Sequence, residues 1–268
     1  MPKWLFFASA LVMALACNAP FMLTPTPPPV MITPDVPETP APMDRPGWKL
    51  VFHDEFDNSS LSPKWATELR WGRLNPPELQ FYWRDAFKLQ NGLLRIAAEH
   101  RPLEGQNYTS GVIATFSTFH FQYGYAEIRS RVPAGKGLWP AFWLLDSSNT
   151  GIGEIDVLEI LGQEPNKVYM TLHYPDANGN SASKQGEFTG PDFSTGFHTF
   201  AVDWRKDSIV WYVDGVERYR LTENIPQGPM YIIANLAVGG KWPGSPSVKT
   251  PFPAYFDIDY IRVYQQAN

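Results

Sequence analysis

The 268-residue chain is long enough to bury the core of one large domain. Aromatic residues make up 15%, with 10 Trp, 12 Tyr and 17 Phe, against 18% charged, which suits a sheet-rich domain rather than a helical bundle. A formal net charge of −5 argues against a nucleic-acid partner, which would favour a basic face, and fits a neutral substrate better; a monomer is also expected.

Residues 1–16 read as an export signal peptide. Lys3 supplies the positive charge, Trp4 to Ala16 form an apolar run too short to span a bilayer, and Ala14-Leu15-Ala16 is a small-x-small cleavage site. The single cysteine, Cys17, follows at once. This resembles a bacterial lipoprotein signal and marks Cys17 as a lipidation site; free secretion is the alternative, and a lipid anchor there is the only membrane contact expected. Residues 17–46 form a proline-rich linker, with 10 Pro between positions 20 and 46. Such a segment is a semi-rigid polyproline II spacer that reaches up to about 80 Å.

The domain proper is expected at 47–268, and from Trp48 onward the pattern is strand after strand. In "GYAEIRSRV" (124–132) Ala126, Ile128 and Val132 alternate with Glu127, Arg129 and Arg131. "HTFAVDW" places Phe200, Val202 and Trp204 on one face, and Asp214-Gly215 between Val213 and Val216 is a hairpin-turn signal. "YFDIDYIRVY" alternates again, and no long capped run of helical period occurs. Many short strands separated by Gly, Pro and Asn turns point to an all-β antiparallel sandwich or jelly roll.

The stretch "GEIDVLEILG" (153–162) carries Glu154, Asp156 and Glu159 inside an apolar run. A helix would splay them about 100° per residue, whereas a strand puts Glu154 and Asp156 on one face with Ile155 and Val157 on the other. Strict alternation sends Glu159 to the wrong face. A β-bulge at Val157 and Leu158 would insert the one residue that restores it, leaving Ile155, Leu158 and Ile160 for the core. The nearest basic residues in sequence are Lys136 and Lys167, so no local partner neutralises the acids. Crowded carboxylates raise at least one pKa, a cost that marks functional sites.

The same alternation in "LWPAFWLL" (138–145) puts Trp139, Ala141 and Trp143 on one face, two indoles flanking a small residue with room for a flat ring. "VYMTLHY" aligns Tyr169, Thr171 and His173, where His173 is placed to orient Asp156 or a substrate. Asn235, Trp242 in a glycine-rich loop, and Asn75 ahead of "ELQFY" complete the candidate substrate-binding set.

With "GLWPAFWLL" just ahead of "GEIDVLEILG", the chain resembles glycoside hydrolase family 16, in its bacterial laminarinase-like branch. The family signature Glu-x-Asp-x-x-Glu matches Glu154, Asp156 and Glu159, and "LVFHDEFD", "ELQFY", "YTSGVI", "HTFAVDW", "WYVDG", "NLAVGGKWPG" and "DYIRVY" are similar to family segments in family order. The resemblance implies a curved antiparallel β-sandwich of the concanavalin A-like jelly-roll type with a concave substrate cleft. It also implies retaining endo-hydrolysis of β-1,3 or mixed β-1,3-1,4 glucans such as laminarin, with Glu154 as nucleophile, Glu159 as acid/base and Asp156 between them. No cofactor is expected for catalysis. A structural calcium is implied, held by Glu55, a carbonyl near Gly92, and Asp259. The sequence departs from the family in lacking a Trp shortly before Glu154 and in carrying Val112 where many members place Arg. A galactan hydrolase, a transglycosylase of the same fold and a non-catalytic carbohydrate-binding protein are the alternatives.

Overall fold

The computed structural model describes residues 44–148 and 153–267. The signal peptide, Cys17 and all of the linker up to residue 43 lie outside the described residues.

Two antiparallel sheets pack face to face. The larger is built from β1 (Trp48–Asp54), β3 (Phe87–Gln90), β4 (Leu93–Ala98), β7 (Gly124–Arg131), β12 (His198–Trp204), β13 (Ile209–Val213), β14 (Val216–Leu221) and β16 (Ala254–Gln266). Its order is β14-β13-β12-β7-β16-β4-β3, with β1 also on β16. The smaller contains β6 (Val112–Ala114), β8 (Leu138–Asp146), β9 (Glu154–Ile160), β10 (Lys167–Pro175), β11 (Ser181–Thr189) and β15 (Met230–Val238), in the order β11-β10-β9-β8-β15-β6. A short parallel pair, β2 (Gln80–Tyr82) and β5 (Tyr108–Ser110), lies outside both.

The alternation read from the sequence is what the packing uses. Ala126, Ile128, Phe200, Val202 and Trp204 of the larger sheet meet Phe142, Leu144, Ile155, Leu158, Ile160, Met170 and Leu172 of the smaller in one core. Burial of this continuous apolar face is the main stabilising term, roughly 25 cal/mol per Å² removed from water. The arginines of β7 point outward and are paired there: Arg129 with Asp259 at 2.6 Å and Arg131 with Asp257 at 2.8 Å. Asp214 and Gly215 turn the β13–β14 hairpin with φ of 50° and 72°, the left-handed pair that a two-residue type I′ turn requires.

The calcium set expected at Glu55, Gly92 and Asp259 does not assemble as a cage of free carboxylates. Glu55 gives both oxygens to Arg262, at 2.9 and 2.6 Å, and Asp259 gives Oδ2 to Arg129. A guanidinium beside each acid supplies positive charge there, so both acids are engaged in ion pairs in this structure.

Candidate active site

The acids sit on β9, between β8 and β10. Against β8, Glu159 lies opposite Ala141 and Asp156 opposite Trp143, so Val157 and Leu158 of β9 together oppose the single Phe142 of β8. The register against β10 slips at the same place, with Glu159 opposite Tyr169 and Asp156 opposite Thr171. Val157 and Leu158 therefore form the bulge that the spacing predicted, and both are buried in the core. At this interruption of the ladder, the backbone carbonyl of Asp156 accepts a hydrogen bond from Trp211 Nε1 of the facing sheet at 2.8 Å.

The outer face of the smaller sheet thus presents cross-strand rows. His173 faces Glu154, Thr171 faces Asp156 and Trp143, and Tyr169 faces Glu159 and Ala141. His173 Nε2 stands 3.2 Å from Asp156 Oδ2 and 3.7 Å from Glu154 Oε1, and Trp139 Nε1 donates to Glu159 Oε1 at 3.1 Å. Lys167, the nearest downstream cation in sequence, is paired with Glu187 instead.

Burial raises the pKa of all three acids, but unequally. Glu159 stands well above the ordinary carboxylate range, first through burial and then through the charges of Asp156 and Glu154, against the opposing pull of His173 and the Trp139 N–H. Asp156 is also raised well above its usual value, by burial, by the charge of Glu154 and by its hydrogen bond to Glu154. Glu154 is raised less: burial is opposed by His173 and by the hydrogen bond from Asp156. Of the three acids, Glu154 is therefore the one whose charge the site opposes least. Glu154, Asp156 and His173 also bring ligand atoms within 4.8 Å of one another, a group with the donors and spacing to hold a metal ion.

Aromatic walls flank the acids. Trp143 meets Trp71 at 6.5 Å between ring centroids, and Trp139 meets Trp242 edge-on at 5.4 Å, with Tyr169 a further 4.7 Å from Trp242. Asn75, Asn235, Trp139 and Trp143 all line the cleft with the acids. Sequence reasoning missed Leu69, Trp71, Glu78 and Tyr82, which line it too. The period-two spacing of Glu78, Gln80 and Tyr82 was the available signal for a shared face.

Comparison with known proteins agrees with this geometry. Residues 78–262 match the model for Glycosyl hydrolases family 16. The chain is 36% identical over 248 residues to a beta-glucanase of Rhodothermus marinus, covering 82% of this chain and 86% of the relative. It is similar in structure to an endo-beta-1,3-glucanase of Pyrococcus furiosus, with a TM-score of 0.73, 36% identity and coverage of 82% and 95% of the two chains. It is also similar, with a TM-score of 0.77, 32% identity and coverage of 85% and 94%, to a structure from work on endo-acting O-glycanases of the human gut microbiota that initiate mucin breakdown. The two-sheet jelly roll, the Glu-x-Asp-x-x-Glu strand and these likenesses make the chain a member of glycoside hydrolase family 16, of laminarinase-like type.

Proposed function

We propose that the protein is a retaining endo-hydrolase of β-1,3 glucans such as laminarin, extending to mixed β-1,3-1,4 glucans, with Glu154 as nucleophile and Glu159 as acid/base. The observation that carries this reading is the convergence of Glu154, Asp156 and Glu159 on one strand face in an aromatic-walled cleft, where burial and mutual charge push Glu159 well above its ordinary pKa and Glu154 less far. Glu159 donates its proton to the glycosidic oxygen as that bond breaks, and Glu154 attacks the anomeric carbon to form a glycosyl ester. Ester formation removes the charge of Glu154, the pKa of Glu159 falls, and Glu159 takes a proton from the water that releases the sugar. Asp156, hydrogen-bonded to Glu154, holds the nucleophile and tunes the coupling between the two glutamates. The indoles of Trp139 and Trp143 offer flat apolar surfaces to the C–H faces of the sugar rings.

Glucan is the favoured substrate because two of the similar proteins are named as glucanases. The likeness to the structure from work on mucin-degrading O-glycanases supports a second reading, cleavage of a mucin O-glycan. Export through the N-terminal signal, with lipidation of Cys17 and the proline-rich spacer holding the enzyme off the surface, is part of the same proposal. The test incubates wild type and Glu154→Gln with laminarin, mixed-linkage glucan, agarose, carrageenan and mucin glycans, counting new reducing ends and sizing products. Short oligomers from laminarin with wild type alone support the glucanase. Cleavage of a mucin glycan instead selects the second reading, cleavage of a galactan indicates a galactan hydrolase, elongated products indicate transglycosylation, and retention on a polymer without cleavage indicates a binding protein.

A further inference from the structure

A fourth carboxylate, Glu78, lies in the cleft and has no part in the chemistry above. It sits just before β2 and accepts three hydrogen bonds: from Asn75 Nδ2 at 2.7 Å on Oε1, and from Gln80 Nε2 at 2.5 Å and Tyr82 OH at 3.2 Å on Oε2. The segment is fastened to β15. Leu79 N donates to the Val238 carbonyl at 2.7 Å, and Val238 N donates to Gln80 Oε1 at 2.8 Å. Leu79 also packs where a side chain on Gly239 would lie, since a Cβ there would come within 2.5 Å of it.

From Tyr82 the chain of hydrogen bonds continues to the sugar platform. Asn235 Nδ2 donates to Tyr82 OH at 3.0 Å, and Trp143 Nε1 donates to Asn235 Oδ1 at 2.8 Å. An indole N–H can only donate, which fixes Asn235 with its carbonyl toward Trp143 and its amide hydrogens toward Tyr82. Tyr82 must then accept from Asn235 and send its own proton elsewhere. Glu78 Oε2, at 3.2 Å, is the acceptor that takes this proton and completes the sequence. Each donor in the relay points toward Glu78.

We propose that Glu78 is a positioning residue for the substrate cleft: as terminal acceptor of the Trp143–Asn235–Tyr82 relay, it locks the Trp143 indole in its sugar-facing orientation and holds Asn75 at the cleft wall. The effect on substrate rests on the glycan-hydrolase reading, whereas the orientation of Trp143 does not. Burial raises the pKa of Glu78, the hydrogen bonds from Gln80, Asn75 and Tyr82 oppose that rise, and burial pushes the Tyr82 phenol well up so that it stays a donor.

The experiment compares Glu78→Gln, Tyr82→Phe and the double variant with wild type in the full chain. The indole N–H resonance of Trp143 is followed in a 1H–15N spectrum without substrate, assigned by its loss in Trp143→Phe. Both single variants should move that resonance while leaving the core indoles in place. Each should raise KM about tenfold, the scale of one hydrogen bond lost within a buried network, with kcat changed less than about threefold. Because both substitutions cut one relay, the double variant should be no worse than the more severe single. A Trp143 resonance unmoved by Glu78→Gln overturns the proposal, and so do effects that add fully in the double variant. If wild type cuts no glycan the function reading fails, and the resonance still decides the role of Glu78.

Discussion

Trp139 and Glu159 are joined across neighbouring strands by a single hydrogen bond, indole Nε1–H to carboxyl Oε1 at 3.1 Å. The donor favours the ionised carboxyl and so works against the burial and negative charge that raise the pKa of Glu159. Substituting Trp139→Phe keeps an aromatic ring and removes the N–H. The pKa of Glu159 should rise further, moving the basic limb of the kcat/KM profile to higher pH with the acid limb unchanged. A pH-rate profile checks this, and an unmoved basic limb would show that the bond has no hold on the proton.

Glu154→Gln and Glu159→Gln should each leave the fold intact and remove nearly all turnover. Loss of general acid–base assistance alone costs about 10²–10⁴-fold, and loss of the nucleophile at least as much. Initial rates on laminarin, read beside far-UV circular dichroism, separate a chemical defect from a folding one.

The raised pKa of Glu159 also has a thermodynamic sign. Folding lifts that pKa above its unfolded value, so the folded state binds more protons between the ordinary glutamate pKa of about 4.3 and the raised one. Stability is therefore lost as pH rises through that window. Glu159→Gln escapes the loss, so its Tm should exceed wild type at pH 7 by about 2–4 °C for each kcal/mol relieved, the gap closing toward pH 4. Thermal melts at both pH values test this, and a gap that stays constant with pH contradicts it.

Trp211 reaches from the larger sheet to the Asp156 carbonyl at the bulge. Trp211→Phe leaves that carbonyl without its donor in a dry core, at a cost of about 1–3 kcal/mol beyond the lost packing. Because the same contact anchors the strand that carries the acids, kcat should fall as well. Denaturant unfolding and laminarin kinetics on one preparation check both effects, and a stable variant of normal activity would show that the bulge holds itself.

Where the site repeats along a strand, it was legible. The spacing of Glu154, Asp156 and Glu159 fixed both the shared face and the need for a bulge, and the outward set Trp139, Ala141 and Trp143 followed from the same alternation. The residues that escaped come from the segment around Leu69–Tyr82, where most of the chain is loop and alternation is too brief to read. The ion pairs of the two acids expected at a calcium were illegible for a different reason: Arg262 is 207 positions from Glu55 and Arg129 is 130 from Asp259, and such partners are set by sheet order alone.

The two-sided character of the bulge bears on insertions and deletions. Val157 and Leu158 both turn into the core, so removing either would restore regular alternation on β9 and still leave Glu154, Asp156 and the shifted glutamate on the cleft face. The loss would fall on the hydrophobic interior and on the spacing between the first and last acid, with the facing of the acids preserved. In this strand a single-codon deletion is thus a change of reach between catalytic groups, whereas in an unbulged strand it would turn one group away from its partners.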